Sequence, residues 1–184
     1  LKPKVLLIAP SAIVGKNFED SQWVKDVLLY QNYDLEFKKK IKIIDSDNDI
    51  IVNNLKTIKE QINDYDIFLL GIGALRYLSQ NEEYKRYLIE FCEKLGENVL
   101  LIIDEAHLLL KDESSANFME NLVRRGRKYN LGVISISQDV DDFLKSPQGS
   151  VIAKTADTAL ILAQKKQSIP SLVKAFDLSD VERD

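Results

Sequence analysis

The sequence predicts an α/β fold, a three-layer sandwich around a mostly parallel sheet. Short aliphatic runs alternate with helical patterns along the whole chain. Residues 5–9 of the first run, 67–70 and 99–103 are continuously apolar, without the alternation of a half-exposed strand. Runs of that length and kind suit strands covered by helices on both faces, which are found in parallel sheets. Strand–helix alternation then implies right-handed crossovers.

The elements follow in order. Residues 4–9 form the first strand. Residues 20–31 follow as a helix, with Trp23, Val24, Val27 and Leu28 at apolar positions. Residues 41–44 make a short strand ending at Asp45. Residues 51–63 are helical, with Val52, Leu55, Ile58 and Ile62 on one stripe. The strand 67–70 runs into Gly71-Ile72-Gly73, and 74–95 carry one or two helices with Gly96 at the C-cap. Residues 99–103 form a strand that meets Asp104 and Glu105. A helix over 114–128 crosses to a buried strand, 132–137, ending at Gln138. Residues 158–163 read as one more strand.

Composition bounds the function. The 184 residues suit one domain with a full core. Net charge is −4, which argues against general polyanion binding by the whole surface. No apolar run approaches membrane-spanning length and no signal peptide is read. The chain opens at Leu1 without methionine, as a processed, tagged or excised chain would. The single cysteine, Cys92, excludes an internal disulfide and a multi-cysteine zinc site. It sits in a helical pattern, as a packed thiol does. The one histidine, His107, follows the acidic pair, and no Cys/His or Ser/His constellation is read.

The chemistry concentrates at Val99-Leu-Leu-Ile-Ile-Asp-Glu-Ala-His107. Two carboxylates follow a buried-type strand, at the strand end where open α/β sheets place ligands. Such a pair suits the acidic half of a P-loop NTPase site, one carboxylate for the magnesium shell and the next for water. A phosphate loop needs G-x-x-x-x-G-K-[ST] after a strand. The nearest match is Pro10-Ser-Ala-Ile-Val-Gly-Lys-Asn17. Proline there lacks an N–H, and Asn17 stands where a hydroxyl would bind magnesium. Gly15 and Lys16 keep the location but not the loop. Gly71 and Gly73 supply two glycines of a dinucleotide fingerprint, with Arg76 in the third place. A tight turn that lets a helix pack close is the plainer reading.

Beyond the acidic pair come Arg124-Arg-Gly-Arg-Lys-Tyr-Asn130, Ser137-Gln-Asp-Val-Asp-Asp-Phe143 and Phe176-Asp-Leu-Ser179. With Asp104-Glu-Ala-His107, their order and spacing over about 97–184 resemble the C-terminal ATPase core of the conjugation and type IV secretion ATPases. That family is related to the HerA and FtsK hexameric DNA translocases. The resemblance implies a RecA-like second half and the use of ATP and Mg2+. Asp104 would then hold the metal, Glu105 would activate water, and Gln138 would sense the γ-phosphate. Arg124, Arg125, Arg127 and Lys128 would supply positive charge, an arginine of this kind acting in trans on a neighbouring subunit's nucleotide. Favourable charge near a helix C-terminus accounts for the same cluster without function. Gly15 and Lys16 would be the remnant of the phosphate loop, so weak or absent turnover is expected.

The resemblance also implies a hexameric ring, contact with secretion-channel proteins and a cytoplasmic place, peripheral at an inner membrane. With a defective loop, a monomer is equally open. Residues before about 98 are rich in Asn, Lys, Ile, Asp and Tyr, and those after rise in Ala, Ser, Val and Gln. An ancestry junction near 96–98 is one reading of this, within a single α/β domain. The first half is faintly similar to the Rossmann-like half of some bacterial glycosyltransferases. Three functions therefore remain: an ATPase module, an engineered or structural α/β domain without turnover, and a nucleotide-sugar or dinucleotide binder.

Overall fold

The computed structural model describes residues 4–15, 20–30, 40–44, 51–58, 60–95, 99–126, 128, 130–138 and 140–183, the side chains of 27–30, 182 and 183 excepted. The strands are β1 (Lys4–Ala9), β2 (Ile41–Ile44), β3 (Ile67–Gly71), β4 (Val99–Ile103) and β5 (Leu131–Ser135). They form one five-stranded sheet in the order β2-β3-β1-β4-β5. Every pairing is parallel. The α/β, mostly parallel expectation therefore holds. β1 precedes the compositional shift and β4 follows it, yet the two pair in register, Lys4 with Val99 through Ile8 with Ile103. Residues 96–98 themselves, and the Gly96 cap expected there, lie outside the described residues.

The helices are α1 (Ser11–Val14), α2 (Gln22–Tyr30), α3 (Ile51–Ile58), α4 (Ile72–Ser79), α5 (Glu82–Lys94), α6 (Glu113–Gly126), α7 (Val140–Lys145), α8 (Pro147–Thr155), α9 (Ile169–Phe176) and α10 (Asp180–Arg183). Successive strand residues face opposite sides, so β1 feeds two cores. Leu6 and Ile8 join Phe68, Leu70, Leu101 and Ile103 beneath α3, α4, α5 and α6. Leu7 and Ala9 join Leu69, Ile41, Val14 and Val24 on the side of α1 and α2. This makes three layers. Phe91 of α5 meets Phe68 of β3 edge-on, with centroids 5.5 Å apart at 84°. Such a pair adds about 0.5–1.5 kcal/mol beyond its buried area. Asn81 starts α5 by accepting from the Glu83 and Tyr84 N–H groups, and Glu82 and Glu83 add charge suited to that end.

Three expectations need correction. The strand before Gln138 is not buried: Ile134 is 44 % and Ile136 is 47 % exposed. β5 ends the sheet, and the α1–α2 core reaches only as far as Ile102 of β4. Residues 158–163 are not a strand and join no ladder, and Leu160 is 86 % exposed. Aliphatic composition favours a strand only where a partner supplies the hydrogen bonds, and β5 pairs with β4 alone among the described strands. The helix expected over 51–63 stops at Ile58, where turn bonds from Glu60 to Thr57 and from Gln61 to Ile58 replace it. Lys165 and Lys166 are exposed, as a solvated turn requires. Among the described residues, no helix is long and apolar enough to cross a membrane.

Cys92 lies on α5, and burial, followed by the neighbouring Glu93 charge, pushes its thiol up to about 12. The thiolate is the reactive form. At pH 8 the native chain should therefore alkylate at least about a hundredfold more slowly than the urea-unfolded chain. The raised value also means that the unfolded chain ionises first, so this group's contribution to stability falls as pH rises from 9.0 to about 12. Equal alkylation rates for native and unfolded chain would contradict the packed thiol.

Candidate functional site

β4 and β5 run in register from Val99 with Leu131 to Ile103 with Ser135. Their C-terminal ends therefore arrive together, and the backbone pairing continues past them. The Asp104 N–H donates to Ile8 O at 2.8 Å, and the Ile136 N–H donates to Ile103 O at 2.8 Å. The Ala106 N–H then reaches back to Ile136 O at 2.8 Å. These bonds tie the ends of β1, β4 and β5 into one platform.

Asp104 and Glu105 stand on this platform, both half-buried. Asp104 Oδ1 accepts from the Glu105 N–H at 3.0 Å. Glu105 adopts a left-handed backbone, φ 51 and ψ 44, unusual for a residue with a Cβ. That turn starts the 3-10 segment Ala106–Lys111. The carboxylate of Glu105 is gripped from β5. Its Oε1 accepts from Gln138 Nε2 at 2.5 Å. Its Oε2 is buried and lies 3.3 Å from His107 Nδ1. His107 is itself buried, and Ser137 Oγ lies 3.2 Å from the same Nδ1.

Three of the expected site residues thus gather at one place: Asp104, Glu105 and Gln138. His107 and Ser137 complete the group, although no Ser/His pairing was read from the sequence. Thirty residues separate them in the chain, and only the register of β4 and β5 brings them together. Arg76 is another addition. From α4 it donates through Nη2 to the Leu108 carbonyl and pins the 3-10 segment that carries His107. Asp112 accepts from the Ser115 N–H at 2.9 Å and opens α6.

The serine, histidine and glutamate are not a nucleophilic triad. In a triad the imidazole faces serine with one nitrogen and the carboxylate with the other. Here Nδ1 faces both.

The basic cluster lies elsewhere. α6 leaves the C-terminal end of β4 and ends at Gly126, before β5 begins at Leu131. Its last turn is therefore at the N-terminal edge of the sheet, across the molecule from Glu105. Arg124 pairs there with Glu120 at 2.7 Å on an exposed face. Arg125 borders a cleft of about 410 Å³ between α5 and α6 that also touches Val99 and Leu131, the first residues of β4 and β5. That cleft is remote from the acidic pair. Arg127 lies outside the described residues.

The turn after β1 reaches the same sheet end as Asp104. It is closed upon itself. The Ile13 and Val14 N–H groups donate to Pro10 O, and the Gly15 N–H donates to Ser11 O. Val14 is buried in the α1–α2 core. Lys16 and Asn17 lie outside the described residues. Gly15 has φ 71 and ψ −180, a region open essentially to glycine alone. A Cβ there would meet the Ser21 backbone nitrogen at 2.8 Å. Glycine thus serves close packing in this turn. At the second glycine pair, Gly71 passes from β3 directly into α4, and Ile72 is buried in the core.

Among the described residues, no group of three or more His, Cys, Asp or Glu side chains could hold a metal ion. Hydrogen bonds from Ser171, then Ser168, hold the Asp141 carboxyl below its usual value and fasten α9 to α7.

Gly15→Ala should cost about 1–3 kcal/mol of unfolding free energy, because both the φ and the contact are unfavourable. Urea denaturation reads it directly. An unchanged midpoint would mean that the turn is looser than described and open to remodelling around a ligand.

Neither a family model nor a curated protein matches the chain. Among solved structures, the chain is similar to VirB4 of Thermoanaerobacter pseudethanolicus, at 14 % identity and a TM-score of 0.49. The match covers 98 % of this chain and 82 % of that one, and nothing about function follows from it.

Proposed function

We propose that the chain is the part of a P-loop ATPase module that carries its acidic residues, of the conjugation and secretion-motor kind. It keeps the carboxylate half of the site without a working phosphate half. One observation carries this reading. Asp104 and Glu105 follow β4, Gln138 follows β5, and Gln138 donates to Glu105 across the strand ends at 2.5 Å. Asp104 would be the magnesium ligand and Glu105 the group that orients water. Gln138 would report on a phosphate.

The residues present fit the two halves unequally. Asp104 Oδ1 is engaged by a backbone N–H, which leaves Oδ2 as a hard oxygen donor suited to magnesium. Protein sites with one or two carboxylates rely on substrate phosphates to complete that shell. A triphosphate does not fit the turn at 10–15, because its N–H groups at 13, 14 and 15 are used internally and Pro10 has none. We therefore assign no hydrolytic step to this chain.

Other parts of the reading are proposals of the same kind. Arg124, in the last turn of α6, and Arg127, which follows it in the sequence, would serve only a neighbouring copy's nucleotide, as in a ring. Secretion-channel partners, a cytoplasmic place at an inner membrane and a junction of two ancestries near 96–98 belong to the same proposal. A non-catalytic α/β domain is the alternative, and the closed turn after β1 favours it.

Calorimetric titration with ATP and magnesium separates these. The dissociation constant should lie at or above about 1 mM, roughly −4 kcal/mol. Micromolar binding by the unmodified chain would overturn the account of the closed turn and restore a working motor.

A further inference from the structure

We propose that His107 is a positioning residue for Glu105, donating its Nδ1 proton to the carboxylate and so holding it against Gln138. The inference deepens the reading above, in which Glu105 orients water, and takes its catalytic meaning from that reading.

The geometry leads to it in three steps. First, Glu105 Oε2 is buried, and His107 Nδ1, 3.3 Å away, is the polar group that faces it. A buried carboxylate oxygen without a donor is costly, so a proton on Nδ1 is the arrangement that satisfies it. Second, Glu105 Oε1 is taken by Gln138 at 2.5 Å. With one oxygen on β5's end and the other on the imidazole, the carboxylate is held from both sides. Third, the imidazole is fixed in turn. It is buried, flanked by Ser137 Oγ at 3.2 Å, and carried on a segment that Arg76 pins through the Leu108 carbonyl. The left-handed turn at Glu105 begins the 3-10 segment that carries His107. In water a neutral imidazole favours its other nitrogen, so protonation at Nδ1 is a signature of this environment.

His107 is the only histidine in the chain, so its imidazole nitrogens give one unambiguous NMR signal set. The wild-type 15N spectrum should report the Nδ1–H form. A neutral ring protonated at Nε2 would overturn the proposal without any variant being made. The second readout is the side-chain amide of Gln138, assigned through Gln138→Ala. Bound to a carboxylate, its protons should be shifted and slow to exchange. His107→Leu fills the space without a donor and should return them to free-glutamine behaviour. His107→Asn places an amide N–H where Nδ1 stood and should restore the shift. A purely space-filling histidine would give the reverse order, with Leu sparing the signal and Asn losing it, and that would sink the idea. Neither readout needs a nucleotide. A chain that binds no ATP leaves this proposal standing, and failure here leaves the ATP reading to the titration.

Discussion

The candidate site depends on one constraint, the unbroken parallel register across β1, β4 and β5. Ile8 faces Ile103, and Ile103 faces Ser135. From that row the bonds Asp104 to Ile8, Ile136 to Ile103 and Ala106 to Ile136 carry the pairing one step beyond the strands. Side chains alternate along a strand, so a slip of one residue would turn Gln138 or Glu105 to the other face. The aliphatic packing of Leu6, Ile8, Leu101 and Ile103 under the helices prevents that slip. Core and site are thus parts of one arrangement.

The two halves of the site differ for a physical reason. On the acidic side, most of the contacts come from protein, while Glu105 Oε2 carries no hydrogen bond. Asp104 takes a backbone N–H, and Glu105 lies between Gln138 and His107. This set is self-consistent without a ligand, even with Glu105 in a left-handed turn whose cost is about 1–2 kcal/mol. In the turn after β1, which the proposed reading makes the phosphate side, the N–H groups of residues 13–15 are taken by carbonyls of the same turn and Val14 is buried. Opening it toward an anion would break those bonds and expose that side chain. Under the proposed reading, the part that would have to hold a phosphate is committed to packing.

Much of the fold was legible in the sequence. β1 and β4 fall at the predicted bounds because aliphatic runs in a sheet interior leave little choice of phase. Asp104, Glu105 and Gln138 were legible as strand-end residues, through the aliphatic runs before them and the family resemblance. The burial of β5 was misjudged, because nothing local says that a strand is at the edge. Residues 158–163 were misjudged for a related reason: composition cannot supply a partner strand. His107 and Ser137 were missed because their meeting depends on register, and Arg76 because its target is a backbone carbonyl with no sequence signature. The left-handed Glu105 was equally hidden, since glutamate seldom takes that conformation.

Native-state hydrogen exchange at the amides of Asp104, Ala106 and Ile136 tests the central claim most directly. Each of the three should exchange about as slowly as the amides within β1 and β4, because each belongs to the continued ladder. Exchange at the rate of an unstructured peptide there, with β1 and β4 still protected, would contradict the account. The strand ends would then not be joined, and Glu105 and Gln138 would have no common platform.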